Sequence, residues 1–128
     1  MLPAHVAALG ACAVLAGLAI FQAALIGGAP LGRLAWGGQH RVLPARLRVG
    51  SAVSIILYAA FGYVALVKAG LVPTLGNETV TLVVMWVLTG YFALGVLMNA
   101  VSRSKPERAV MTPVALALSV AYLVLALH

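Results

Sequence analysis

Four long runs without a charged side chain constrain this sequence more than any other feature. Counting His5 as neutral, the runs cover residues 1–32, 49–67, 79–102 and 109–127. An α-helix rises about 1.5 Å per residue, so each run can cross a hydrocarbon core of about 30 Å. The sequence therefore predicts a single-domain, all-α integral membrane protein. Its four transmembrane spans are expected at approximately residues 4–29, 48–69, 78–101 and 107–127.

These spans are expected to pack as a four-helix bundle made of two helical hairpins. The first run has no positively charged start, and its apolar stretch is much longer than the core of a signal peptide. We therefore expect it to remain as a membrane helix.

The composition excludes most classes of water-soluble protein. Hydrophobic residues make up 64% of the 128 residues and charged residues only 8%, whereas a soluble domain carries charge on about a quarter of its residues. The formal net charge of +6 would suit a nucleic-acid partner. However, the cations lie between apolar runs rather than along one solvated face, and we expect no nucleic-acid partner.

The positions of the cations predict how the chain is oriented. Seven of the eight Lys and Arg residues lie in the first and third loops, and only Lys68 lies at the other end. Loops rich in Lys and Arg stay in the cytoplasm. We therefore expect both termini to lie outside, in a multi-pass protein of a bacterial inner membrane.

Signals at the helix boundaries agree with four spans. Asn77 is a candidate N-cap for the third helix, and Ser104 and Glu107 have the spacing of a capping box before the fourth. Two starts are open for the fourth helix. It begins near Pro106 and is kinked at Pro113, or it begins at Pro113 itself. The longer helix is favoured because the shorter one is marginal for a bilayer.

Several kinds of membrane enzyme and transporter lack their required residues here. No span carries a carboxylate in its middle, the three histidines are terminal or in a loop, and there is a single cysteine. Proton-coupled export, haem ligation and disulfide chemistry are therefore disfavoured. We expect no cofactor, no metal and no catalytic group.

Four polar side chains in the first three spans are candidates for an intramembrane polar cavity: Gln22, Ser54, Tyr58 and Asn99. Polar groups in a membrane need partners, and such residues are often functional. Two interpretations remain open. The side chains hold helices together by hydrogen bonds, or they line a cavity open toward the loops that carry most of the cations.

The first loop has the most distinctive composition in the chain. It is either an interfacial anchor that fixes topology or part of a site for an anionic ligand or lipid headgroup. The second interpretation selects seven candidate residues from the first and third loops: Arg33, Trp36, Gln39, His40, Arg41, Arg103 and Arg108. Anionic lipid headgroups are the expected partners.

The segments WGGQHRVLP and MNAVSRSKPER resemble those of a family of uncharacterised small bacterial four-helix membrane proteins. These proteins carry a similar Trp-Gly-Gly loop after helix one and an Asn-x-x-Ser-Arg-Ser segment after helix three. The resemblance covers nearly the whole chain. It implies the four-helix fold and no assigned activity, and it adds Ser102 and Glu107 to the candidate site residues.

Three functions are compatible with these residues. The first, which we favour, is a structural, accessory or assembly role, as a homo-oligomer or with a partner membrane protein. The second is a homo-oligomeric channel or uncoupled carrier for a small solute. The third is a membrane enzyme that binds lipid or anions through its basic loops.

Overall fold

The computed structural model describes residues 3–73 and 76–128. This part of the chain folds into four α-helices and contains no strand. The helices are α1 (Pro3–Ile26), α2 (Ala45–Lys68), α3 (Glu78–Ala100) and α4 (Lys105–Leu127). Each is long and apolar enough to cross a membrane, so the predicted all-α fold with four spanning helices is confirmed.

The helices form two antiparallel hairpins. Helix α1 packs mainly against α2, and α3 packs mainly against α4. Packing between α1 and α4 joins the hairpins, whereas α2 and α3 touch each other much less. The first loop, residues 27–44, and the third loop, residues 101–104, lie together at one end of the bundle. We call it the basic end because these loops and the adjoining helix turns carry seven of the eight cations.

Two helix starts follow the capping signals in the sequence. Asn77 Oδ1 accepts a hydrogen bond of 2.7 Å from the Thr79 N–H, and Ser104 Oγ accepts one of 3.5 Å from the Glu107 N–H. Helix α4 is therefore the longer of the two alternatives, with Pro113 inside it. The kink at Pro113 stays a prediction.

The core of the bundle is displaced from the basic end. Buried apolar side chains from all four helices cluster in the opposite half, which we call the packed half: Ala8, Ala11, Leu15, Ala65, Met85, Leu88, Phe92, Leu118, Tyr122, Leu125 and Ala126. Tyr122 is fully buried, stacks on Phe92 with ring centroids 5.5 Å apart, and donates a hydrogen bond of 2.6 Å to the Phe61 carbonyl. This tyrosine thus joins α4 to both α2 and α3.

Candidate functional site

The first loop is folded back on itself rather than extended. It contains two short 3-10 turns, Gly32–Leu34 and Trp36–Gly38. The Gly32 N–H donates a hydrogen bond of 2.9 Å to the Arg41 carbonyl, which closes the loop. A Cβ atom at Gly32 would lie only 2.0 Å from the His40 carbonyl oxygen. The loop closes this tightly because position 32 has no side chain.

The turn after Trp36 uses the conformational freedom of glycine. Gly37 and Gly38 both have positive φ, at 79° and 72°, and the left-handed region costs glycine little. Trp36 itself has φ 53°, which is unusual for a bulky residue. Its indole lies against Gly50 on α2, and its Nε1–H donates a hydrogen bond of 3.3 Å to the buried Ser51 Oγ. These contacts hold the loop against α2.

Two hydrogen bonds tie the first loop to the start of α4. The Gly37 N–H donates a hydrogen bond of 3.0 Å to Glu107 Oε2, and Ser104 Oγ donates one to the Arg33 carbonyl. The Glu107 side chain is buried, with 6% exposure. It therefore connects the first loop to the first turn of α4.

Two of the arginines at the basic end hold backbone carbonyls. Arg48 donates hydrogen bonds of 2.8 Å to the Leu43 carbonyl and 3.3 Å to the Ile26 carbonyl, the latter at the end of α1. Arg108 donates one of 3.0 Å to the Ser102 carbonyl. These cations satisfy carbonyl groups that the helix and loop ends leave without partners.

An open cleft lies between the first loop, the third loop and the first turn of α4. Its volume is about 730 Å³, and we call it the basic cleft because three cations line it. Arg33 comes from the first loop and Arg103 from the third, while Lys105 begins α4. The cleft thus brings together cations that lie about 70 residues apart in sequence.

The structure places the seven predicted headgroup residues in two groups. Four line the basic cleft: Arg33, Trp36, Gln39 and Arg103. The other three, His40, Arg41 and Arg108, lie outside its lining. The His40 Nε2 atom is buried with no hydrogen-bond partner among the described residues, and Arg41 is exposed.

Lys105 is a cleft residue that the sequence reasoning missed. Its position gave a usable signal, since it follows the Ser104 cap and so begins a helix at the membrane surface. Ser102 and Glu107, which the family resemblance added, also line the cleft.

A second space, the central cavity, lies inside the basic half of the bundle. Its volume is about 520 Å³, and all four helices and the first loop contribute to its lining. Gln22, Tyr58 and Asn99, three of the four candidate cavity residues, line it together. Ser54 is outside this lining and donates a hydrogen bond of 3.0 Å to the Gly50 carbonyl one turn earlier.

The polar side chains of the central cavity differ in how many of their atoms have hydrogen-bond partners. Gln22 Nε2 donates a hydrogen bond of 3.3 Å to Tyr58 Oη, and Asn99 Nδ2 donates one of 2.8 Å to the Gly95 carbonyl. Gln22 is only 7% exposed. Its Oε1 atom is buried and has no partner among the described residues.

The basic cleft and the central cavity adjoin each other. Trp36 and Met98 line both spaces. Both side chains are exposed to a large degree, at 42% and 63%. A polar cleft and a mostly apolar space therefore lie on either side of these two residues.

No model of a known protein family matches this sequence, and no curated protein or solved structure matches it either. Among residues 3–73 and 76–128, no three His, Cys, Asp or Glu side chains are grouped so that they could hold a metal ion.

Proposed function

We propose that this chain is an accessory protein of a bacterial inner membrane and that its basic cleft binds the headgroup of an anionic lipid. The basic end then faces the cytoplasm, as the bias of Lys and Arg between the loops predicts. Binding to a larger assembly or to further copies of the chain is compatible with this role.

The convergence of three cations on one folded cleft carries the proposal. Each Lys or Arg near an anionic membrane surface contributes about 1 kcal/mol of attraction. Arg33 comes from the first loop, whereas Arg103 and Lys105 lie two residues apart at the start of α4, yet all three line one cleft. The hydrogen bond from Gly37 to Glu107 fixes the distance between these segments. A cleft held in place in this way loses less entropy when it binds a headgroup.

Three cations and one carboxylate, that of Glu107, line the cleft, so its lining carries a net positive charge suited to holding an anion. Guanidinium and ammonium groups bind phosphate or carboxylate by charge-assisted hydrogen bonds, and the Gln39 amide adds neutral donors. Trp36 lies at the junction with the apolar cavity, which matches the preference of its ring for the membrane interface.

The orientation is tested by cysteine labelling in cells. In a Cys12→Ala background, we expect a membrane-impermeant maleimide to label Gly70→Cys in intact spheroplasts and Arg46→Cys only after lysis. Both positions are exposed and lie at opposite ends of α2. Labelling of Arg46→Cys in intact spheroplasts would overturn the orientation.

Lipid binding is tested by native mass spectrometry of protein taken from nanodiscs that contain phosphatidylglycerol and phosphatidylcholine. We expect the wild type to retain phosphatidylglycerol preferentially. Arg33→Ala and Arg103→Ala should each reduce that retention about fivefold, the factor that corresponds to about 1 kcal/mol per cation.

Arg41→Ala is the matched control for that experiment. It removes one exposed cation from the same loop, outside the cleft lining, and should leave retention within twofold of the wild type. Equal losses in all three variants would mean that the loops attract anionic lipid only through their total charge.

Free inorganic phosphate should fail to displace the lipid, because the proposal assigns the cleft to a membrane-bound headgroup.

A further inference from the structure

We propose that the central cavity holds the apolar chain of the lipid whose headgroup binds in the basic cleft, and that Gln22 selects a chain carrying a hydroxyl group. This inference rests on the proposed function. It assigns a ligand to the cavity and a specificity-determining role to Gln22.

The first step is that the two spaces are neighbours. Trp36 and Met98 line both the cleft and the cavity, so a molecule bound by Arg33 and Arg103 lies next to the cavity. Beyond these side chains the lining of the cavity is mostly apolar and aromatic, with contributions from Phe21 and Phe92. A hydrocarbon chain fits this environment.

The second step is the position of the cavity relative to the helices. The cavity lies in the basic half of the bundle, and its most exposed lining residues on α3 are Tyr91, Leu94 and Met98. These side chains mark a mouth that faces the lipid. The packed half closes the opposite end. The hydrocarbon chain of a lipid therefore enters from the membrane and ends inside the bundle.

The third step is the unsatisfied amide of Gln22. Its Nε2 atom already donates to Tyr58 Oη, while Oε1 is buried without a partner among the described residues. A buried acceptor without a partner is costly in apolar surroundings. Gln22 lines the cavity, and its side chain must turn so that the free atom meets a ligand there.

A hydroxyl group fits this amide better than a group that only donates or only accepts. The oxygen and nitrogen of a glutamine amide can exchange places, because the Tyr58 hydroxyl is able both to accept and to donate. In either arrangement one atom of the Gln22 amide, its oxygen or its nitrogen, has no hydrogen-bond partner. A ligand hydroxyl satisfies both cases, since it both donates and accepts.

The position of Gln22 in α1 determines where the hydroxyl group must lie along the hydrocarbon chain of the lipid. Gln22 is four residues before Ile26, the last residue of α1, which corresponds to about 6 Å along the helix axis. The Gln22 amide is therefore inside the membrane rather than at the headgroup. The hydroxyl must accordingly lie along the chain, away from the anionic group.

The test compares two anionic probes that differ by one hydroxyl. Stearate and isomers of hydroxystearate, with the hydroxyl at different positions along the chain, are competed for the protein in nanodiscs. Bound probe is counted by native mass spectrometry. We expect the wild type to prefer one mid-chain isomer over stearate by about tenfold, the factor for satisfying one buried polar atom. The isomers with the hydroxyl nearest either end should lose this preference.

Two variants assign the preference to Gln22. Gln22→Met keeps the side-chain length and removes the amide, so it should bind stearate like the wild type and lose the preference for the hydroxyl. Thr112→Val is the matched control, because Thr112 Oγ1 is also buried without a partner but lies outside the cavity lining. It should keep the preference.

The outcomes separate this inference from the proposed function. Equal binding of stearate and every hydroxystearate by the wild type, with losses in Arg33→Ala and Arg103→Ala, overturns the role of Gln22 and supports the cleft. A preference that persists in Gln22→Met also overturns it. Failure of the wild type to bind any of these anionic probes overturns this inference, whereas the proposed function is overturned only if the wild type shows no preference for phosphatidylglycerol.

Discussion

Gly32→Ala is expected to release the first loop from the rest of the protein. The new Cβ atom would lie 2.0 Å from the His40 carbonyl oxygen and 2.8 Å from the Arg41 carbonyl oxygen. Both are backbone atoms, so no side-chain rotation relieves the clash. Opening the loop should cost about 1–3 kcal/mol.

Trp36 reports on this change. In a Trp86→Phe background Trp36 is the only indole, since the chain has two tryptophans. We expect its fluorescence to shift to the red as the ring leaves Gly50 and Ser51. Retention of phosphatidylglycerol should fall at the same time, because Arg33 no longer lies opposite Arg103.

Gly37→Ala is the control for Gly32→Ala. Gly37 has φ +79°, but a Cβ atom there has no neighbour within 4 Å. The substitution therefore adds only backbone strain, of about 1 kcal/mol, and keeps the N–H that bonds Glu107. A red shift in Gly37→Ala as large as in Gly32→Ala would show that the loop is held by backbone conformation alone and that the close approach at Gly32 is unimportant.

Tyr122→Ala is expected to cause the largest loss of stability in the packed half. The substitution removes a fully buried ring, its stacking on Phe92 and its hydrogen bond to the Phe61 carbonyl. Large-to-small changes of an aromatic core residue cost about 3–5 kcal/mol. The free energy of unfolding, measured by titrating SDS into mixed micelles, should fall by this amount.

Two other tyrosine variants make the Tyr122→Ala measurement specific. Tyr122→Phe keeps the ring and should lose only about 0.5–1.5 kcal/mol for the hydrogen bond. Tyr63→Ala removes a ring that is 40% exposed and should change the free energy of unfolding by less than Tyr122→Phe does. A similar loss for Tyr63→Ala and Tyr122→Ala would contradict a core located around Tyr122.

The fold was largely predictable because charge and helix caps determine it locally. A run without charge that is long enough to cross a bilayer has few alternatives to a helix. Asn77 and Ser104 then mark where α3 and α4 begin, and both caps are present.

The first helix ends at Ile26 rather than at residue 29, because Gly27 and Gly28 turn the chain away, with Gly28 at φ +93°.

The basic cleft was predictable only in part because it depends on the path of a loop. The sequence shows that Arg33 and Arg103 belong to neighbouring loops. It does not show that the turn at Gly37 and Gly38 directs Trp36 toward α2 and leaves Arg41 outside the cleft. Such a path is determined by long-range contacts, above all the one between Gly37 and Glu107.

The central cavity shows a similar limit. Helical spacing places Ser54 and Tyr58 on one face of α2, yet only Tyr58 lines the cavity. Ser54 satisfies its hydroxyl on the Gly50 carbonyl of its own helix, as serine often does in helices. Tyr58 is long enough to reach Gln22 on α1. Ser54 therefore bonds within its own helix while Tyr58 bonds across to α1, a difference that helical spacing alone does not predict.

The displacement of the core away from the basic end has a mechanical consequence. Close-packed interiors resist deformation, whereas regions with few buried contacts open at a low cost in free energy. The cluster around Tyr122 fills one half of the bundle, and the cavity beside Gln22 lies in the other, so we expect the first half to be the stiffer. We therefore expect a change in lateral pressure to alter the shape of the bundle chiefly in the half that contains the basic end.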